Sequence, residues 1–147
     1  MSVRVRFAPS PTGSLHLGNA LTAVANRHFA DSRDGVLLLR IDDTDPSRNV
    51  EQGEEAILGD LEWLGVGFDE EPVRQSERAA LYADAVDRAL GSGKTERDAD
   101  GSVRLLQGGT TLLREDGTAT YQLASVVDDL ELGITHVIPT SSSGSLT

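Results

Sequence analysis

Arg6, His16 and the acidic run Asp42-Asp43-Thr44-Asp45 are the residues whose types could act together on a charged ligand. Between the first two stands a turn dense in proline and glycine, Ala8-Pro9-Ser10-Pro11-Thr12-Gly13. His16-Leu17-Gly18-Asn19 follows and opens a long helical pattern. A strand, a tight turn and a helix with glycine in its first turn together make an anion site. Free backbone N–H groups and the positive end of the helix dipole point at whatever the turn holds. Gly13 and Gly18 remove side chains where a phosphate would approach the backbone. His16 adds a ring donor beside it. Arg6 either reaches into the turn or is a solvated strand arginine. Three carboxylates in four residues could bind Mg²⁺ or an ammonium group, or form an acidic strand-to-helix turn capped by Asp45 or Ser47. We expect both, with Asp45 structural and Asp42 facing ligand.

The elements that must position these groups follow from periodicity. Val3, Val5 and Phe7 alternate with Arg4 and Arg6, a period-two strand. Leu17, Leu21, Val24, Ala25, His28 and Phe29 recur at helical spacing and predict the buried stripe of a helix capped near Gly35, with His28 packed or at the boundary. Val36–Leu39 reads as a fully buried strand of a parallel sheet, which makes the whole a βαβ unit. Ligands of such sheets bind outside the carboxyl ends of the strands, so 6–10 and 42–45 should face one crevice.

Further along, a helix is predicted over 51–64, with Ile57, Leu61 and Leu64 inward, Trp63 at the core or boundary, and Gly65 closing it. Another is predicted over 76–90, with Ser76 as N-cap. Gly91-Ser92-Gly93-Lys94-Thr95 matches the end of a phosphate-binding loop, but Arg88 stands where the first glycine belongs, so it reads as a helix cap and turn. Short strands are expected at 103–106 and 111–114, a hairpin turn at 115–118, a helix over 121–130 closed by Gly133, and a strand at 134–138. The tail 139–147, PTSSSGSLT, is low-complexity, and its composition predicts disorder.

Bulk properties narrow the classes. The 147 residues are one domain's worth of chain, enough for a real core. Lysine plus arginine is 13 against 24 acidic residues, a net charge of −11, the wrong sign for a surface that grips nucleic acid throughout. Nucleic acid, if bound, must meet a local basic patch or basic parts missing from this chain. Cysteine is absent, which excludes disulfides and thiolate zinc sites. No apolar run reaches spanning length and there is no signal-peptide core, so a cytoplasmic protein is expected.

Arg6, the run Ala8–Gly13, His16–Asn19 and Arg40–Asp45, resumed at Thr120–Ile138, resemble the catalytic domain of class I glutamyl-tRNA synthetases. They resemble equally the short paralogue glutamyl-queuosine tRNA(Asp) synthetase. The resemblance covers most of residues 3–90 and 111–138. It implies a Rossmann-like nucleotide-binding fold, a parallel sheet flanked by helices, incomplete at the C-terminus. The implied catalytic domain is 1–138: a first half 1–92, a shortened connecting insertion 93–110 and a second half 111–138.

The implied reaction is ATP-dependent activation of L-glutamate to glutamyl-adenylate and its transfer to tRNA, with Mg²⁺ carried on ATP. By the same resemblance His16 is catalytic, and Ser14, His16, Gly18 and Asn19 bind ATP. Arg6, Ala8, Ser10, Asp42, Tyr121 and Ser125 bind glutamate. The pattern departs from the family at Asp42, where glutamate is usual, at Ser125, where asparagine is frequent, and at Pro139, where an arginine is expected. The lysine-bearing KMSKS-type loop and the anticodon-binding domain come later in the family, and the chain stops before them. The expectation is a truncated or frame-shifted chain, monomeric and without zinc. The alternatives are the paralogue, or a fragment that binds ATP or adenylate without turnover.

Overall fold

The computed structural model describes residues 2–139. The expectation for the tail beyond Pro139 lies outside them. The chain forms two compact units, one of residues up to Arg74 together with those from Gly133, the other of Gln75–Leu132. The boundaries anticipated at 92/93 and 110/111 both fall inside the second unit.

The first unit is built on strand β1 (Arg4–Phe7), helix α1 (Leu17–Asp31), strand β2 (Val36–Ile41), helix α2 (Gly53–Leu64) and strand β3 (Val73–Arg74). The strands form a parallel sheet of order β1-β2-β3, with Phe7 beside Leu39 and Ile41 beside Arg74. Alternation in β1 buries Val5 and Phe7 and leaves Arg4 and Arg6 half-buried. β2 is buried from Leu37 onward, as befits a strand with a neighbour on each side. Val5, Phe7, Leu37, Leu39 and Ile41 pack with Ala23 and Ala30 of α1 and Ile57 and Leu61 of α2.

The helical period of α1 is as expected, but its phase is not. Thr22, Ala23, Asn26 and Ala30 face inward, while Leu17, Leu21 and Val24 are 77%, 55% and 44% exposed and His28 is exposed. Small residues let the helix lie close on the sheet. The buried polar groups bond their own helix, Thr22 Oγ1 to the Gly18 carbonyl and Asn26 Nδ2 to that of Thr22, both at 2.9 Å. Gly35 is not the cap. Ser32 occupies that position, and Gly35 is required because a β-carbon there would lie 2.7 Å from the Val3 carbonyl oxygen. α2 ends as expected at Gly65 in the left-handed conformation, φ +74°. Trp63 is 86% exposed, not core or boundary, since it sits two residues and about 200° round the helix from buried Leu61.

Residues 134–138 form no strand. Thr135 exchanges hydrogen bonds with the Arg4 backbone, its N–H to the Arg4 carbonyl and the Arg4 N–H to its Oγ1, both 2.9 Å, and no ladder extends from there. His136 stacks at a tilt on Phe29, ring centroids 5.4 Å apart.

The second unit comprises helix α3 (Ala79–Gly91), strands β4 (Thr95–Arg97), β5 (Val103–Leu105) and β6 (Thr111–Leu113), and helix α4 (Tyr121–Glu131). The strands form an antiparallel sheet of order β4-β5-β6. Tyr82 and Val86 of α3 and Leu123 and Ala124 of α4 pack on Val103, Leu112 and Leu113. Ser76 is not the N-cap of α3. A 3-10 turn at Gln75–Glu77 intervenes and Arg78 takes the cap position without a side-chain bond. The expected hairpin is present: Arg114 N–H reaches the Thr118 carbonyl at 2.9 Å and Gly117 has φ +85°. Gly91-Ser92-Gly93 is a helix end and turn, with Gly93 at φ +77°.

Candidate functional site

The parallel pairing of β1 and β2 continues past their carboxyl ends, where Asp42 N–H donates to the Pro9 carbonyl at 2.9 Å. Residues 8–10 and Asp42 therefore share one rim of the sheet. The chain then tightens, Thr12 N–H to the Ser10 carbonyl at 2.8 Å, and passes through Gly13 at φ +126°. Nothing lies within 4 Å of where a Gly13 β-carbon would stand, so the glycine serves backbone conformation and leaves open space.

His16 is the N-cap residue of α1, exposed, in extended conformation (φ −74°, ψ 160°), with its carbonyl accepting Ala20 N–H at 2.9 Å. Its ring caps nothing, and no acidic residue occupies the first turn. The positive end of a 15-residue helix thus faces outward with no carboxylate of that turn to neutralise it. Ser14 is exposed, and Gly18 and Asn19 are half-buried in the same stretch. Arg6, Ala8 and Ser10 are half-buried along β1 and the turn.

The Asp42 side chain, expected to face ligand, is almost fully buried at the end of β2. Its carboxylate is held by Arg40, Nε to Oδ1 at 2.7 Å and Nη2 to Oδ2 at 3.2 Å, with side chains 0% and 1% exposed. The two residues are i and i+2 at a strand end, so they project to the same face. Asp45 is the cap that was expected, its Oδ1 accepting from Ser47 N–H at 3.1 Å and Ser47 Oγ at 2.6 Å. Among the described residues no three acidic, histidine or cysteine side chains are gathered as a metal cage.

A cavity of about 290 Å³ opens at the carboxyl ends of β2 and β3, lined by Pro11, Ile41, Asp43, Asn49, Gly53 and Arg74 among others. Arg6, His16 and Asp42 do not line it. Tyr121 and Ser125 lie on α4, in the second unit. Tyr121 is 51% exposed, and the Ser125 hydroxyl is buried without a hydrogen-bond partner.

Several residues that support these groups were missed in the sequence. α2 is fastened to the turn at three points. Val50 N–H, just before α2, donates to the Pro11 carbonyl at 2.9 Å. Gly53 sits so close that a β-carbon would lie 2.4 Å from the same oxygen. Leu15 N–H donates to Asp60 Oδ2 at 2.8 Å. In the second unit, fully buried Asp128 accepts from Gln75 Nε2 at 3.0 Å, Arg78 Nε at 2.7 Å and Tyr82 Oη at 2.7 Å. The signal was available: Asp60 stands at i+3 from Ile57 and Asp128 at i+4 from Ala124, both on apolar stripes.

Asp69, on the loop after α2, has its carboxyl held below the ordinary value of 3.8. Leu37 N–H, at 2.8 Å, is the main cause. Burial works against it and Arg27, at 3.1 Å, assists.

A parallel sheet flanked by helices, with a glycine-bent turn and a helix start at its rim, is the Rossmann-like catalytic fold of class I aminoacyl-tRNA synthetases. The chain is similar to the crystal structure of a glutamate tRNA ligase from Elizabethkingia meningosepticum in complex with its amino acid, with a TM-score of 0.84 and 28% identity, over 93% of this chain and 43% of that one. The family described as tRNA synthetases class I (E and Q), catalytic domain, matches residues 2–108, and the chain belongs to it. Among curated relatives it is 46% identical to glutamate–tRNA ligase 1 of Rubrobacter xylanophilus, over 93% of this chain and 37% of that protein. It is 36% identical to glutamate–tRNA ligase 2 of Rickettsia bellii, over 93% of this chain and 43% of that protein. The chain thus spans less than half the length of these relatives. Among the described residues no helix is long and apolar enough to cross a membrane.

Proposed function

We propose that this chain is the ATP- and glutamate-handling part of a glutamate–tRNA ligase. The observation that carries the reading is the helix mouth itself, a turn bent at Gly13 with His16 at the start of α1, within a stretch matched by the E and Q family. In this reading the first-turn N–H groups of α1, with Ser14, Gly18 and Asn19, receive the triphosphate of ATP, and Mg²⁺ arrives on the nucleotide. The α-carboxylate of glutamate attacks the α-phosphorus in line and pyrophosphate leaves. His16 steadies charge that develops on the α-phosphoryl oxygens. Arg6 takes a substrate carboxylate, for which a planar guanidinium is suited. Ala8 and Ser10 complete the amino-acid side within the first unit, and tRNA accepts the glutamyl group. No covalent enzyme intermediate is needed, and positioning of two anions is the main task.

One observation favours a second reading, binding of ATP or adenylate without turnover. The carboxylate assigned to the substrate ammonium, Asp42, is occupied by Arg40. Glutamate-dependent exchange of pyrophosphate into ATP separates the two. Exchange above a no-glutamate control supports the ligase. ATP-dependent thermal stabilisation without exchange supports the binding module. A chain that shows neither exchange nor ATP-dependent stabilisation would overturn both readings.

A further inference from the structure

We infer that Asp60 is a positioning residue for the anion-binding turn. Its functional half rests on the nucleotide reading above. The turn 8–16 needs a defined shape, because an anion site made of backbone N–H groups works only when those groups are aimed before the ligand arrives. The segment entering α1 has no ladder partner of its own and its N-cap side chain bonds nothing in the helix. Asp42 N–H, at the end of β2, holds the Pro9 carbonyl, and the other anchors come from α2 and the residues just before it. Val50 and Gly53 secure only the segment's beginning, at the Pro11 carbonyl. The far side, next to His16, is held by the Asp60 carboxylate on Leu15 N–H at 2.8 Å, with the Leu15 side chain packed against the core.

The chemistry of that bond makes it more than a surface contact. Asp60 lies on the inward stripe of α2 with Ile57 and Leu61, and is half-buried there. A carboxylate in that place accepts strongly and holds its donor short. Fixing Leu15 N–H fixes the planar peptide unit between Ser14 and Leu15, which leaves only the two Leu15 torsions between it and the peptide that carries the His16 N–H. The same carboxylate also brings a negative charge near a site meant for anions. Its geometric role and its charge therefore act on ATP in opposite directions. Asp60→Asn keeps a carbonyl acceptor of the same shape and drops the charge. Asp60→Ala loses both.

The test uses the full chain, its Asp60→Ala variant and its Asp60→Asn variant. Residue-resolved amide exchange is measured without ligand, and ATP·Mg²⁺ affinity by titration. The expected result is that Asp60→Ala speeds exchange of Leu15 and its neighbours by about tenfold or more, the size for losing a hydrogen bond to a charged acceptor. The β2 amides remain protected. ATP affinity falls several-fold in Asp60→Ala and returns to the parent value or better in Asp60→Asn. Unchanged exchange at Leu15 in Asp60→Ala overturns the inference. So does exchange that quickens evenly through 3–74, which would make Asp60 a general stability residue. If the unaltered chain takes up no ATP, the proposed function falls, while Leu15 exchange still decides the positioning. If the parent binds ATP and Asp60→Ala binds it equally, the functional half is overturned.

Discussion

Asp128→Ala should destabilise the second unit more than any other single truncation on α3 or α4. Three donors converge on this carboxylate, which is wholly buried, and one of them is the guanidinium of Arg78. Removing one member of a buried ion pair costs about 3–5 kcal/mol, because the other charge keeps its burial and loses its partner. Tyr82→Phe deletes one hydrogen bond to a charged acceptor and should cost about 1.5–3 kcal/mol. Asp128→Asn falls between, since its amide accepts at one atom and turns a donor toward the others. Equilibrium urea unfolding followed by helical circular dichroism gives the ranking. A double-mutant cycle on Tyr82→Phe and Asp128→Asn should show coupling of at least about 0.5 kcal/mol. Asp128→Ala costing less than Tyr82→Phe, or a cycle that closes with no coupling, would refute the idea that these helices are joined through one carboxylate.

Three further outcomes follow from the first unit. Asp69 titrates below its ordinary value in the folded chain, so the unfolded chain binds more protons at acid pH. Its contribution is complete above about pH 4 and fades as pH falls through the lowered value. Asp69→Asn should therefore lower the urea midpoint near neutrality and match the parent at strongly acid pH. The effect is small and salt-sensitive, since the side chain is 41% exposed. Arg40→Met leaves the Asp42 carboxylate buried without its guanidinium and should cost about 3–5 kcal/mol. Arg40→Met with Asp42→Leu should be less destabilised than Arg40→Met alone by the same unfolding assay. Trp63 is the only tryptophan and is largely exposed, so folded and unfolded chains should show similar quenching by iodide. Trp63→Ala should cost within about 0.5 kcal/mol.

Much of the fold could be read from residue order, and the reasons differ by element. β1 and β2 were legible because alternation and a run of branched residues admit few other placements. α2 was legible from Ile57, Leu61 and the glycine that ends it. α1 shows the limit: its period was right and its phase wrong, because apolarity was taken to mean burial. Its inward face is instead made of Thr22, Ala23, Asn26 and Ala30, which size and self-bonding admit against the sheet. The same assumption misplaced Trp63. The turn and helix mouth of the candidate site were legible from Pro9 to Asn19, since proline, glycine and a helix start have local causes. Asp60, Asp128 and the Arg40–Asp42 pair were not. Each is a polar residue at a buried or half-buried position; the partners of Asp60 and Asp128 are set by which elements pack together, and the Arg40–Asp42 pair by the shared face of i and i+2 at a strand end. The strand expected at 134–138 follows its apolar residues, and hydrogen bonds that all converge on the Arg4 backbone do not make a ladder.

The claim on which the account depends is that the mouth of α1 receives the triphosphate. Titrating ¹⁵N-labelled chain with ATP·Mg²⁺ and following the amide resonances tests it most directly. The account predicts saturable shifts centred on residues 13–19, reduced by His16→Ala. Shifts centred on the cavity between Asn49 and Arg74, or no saturable shifts at all, would contradict it.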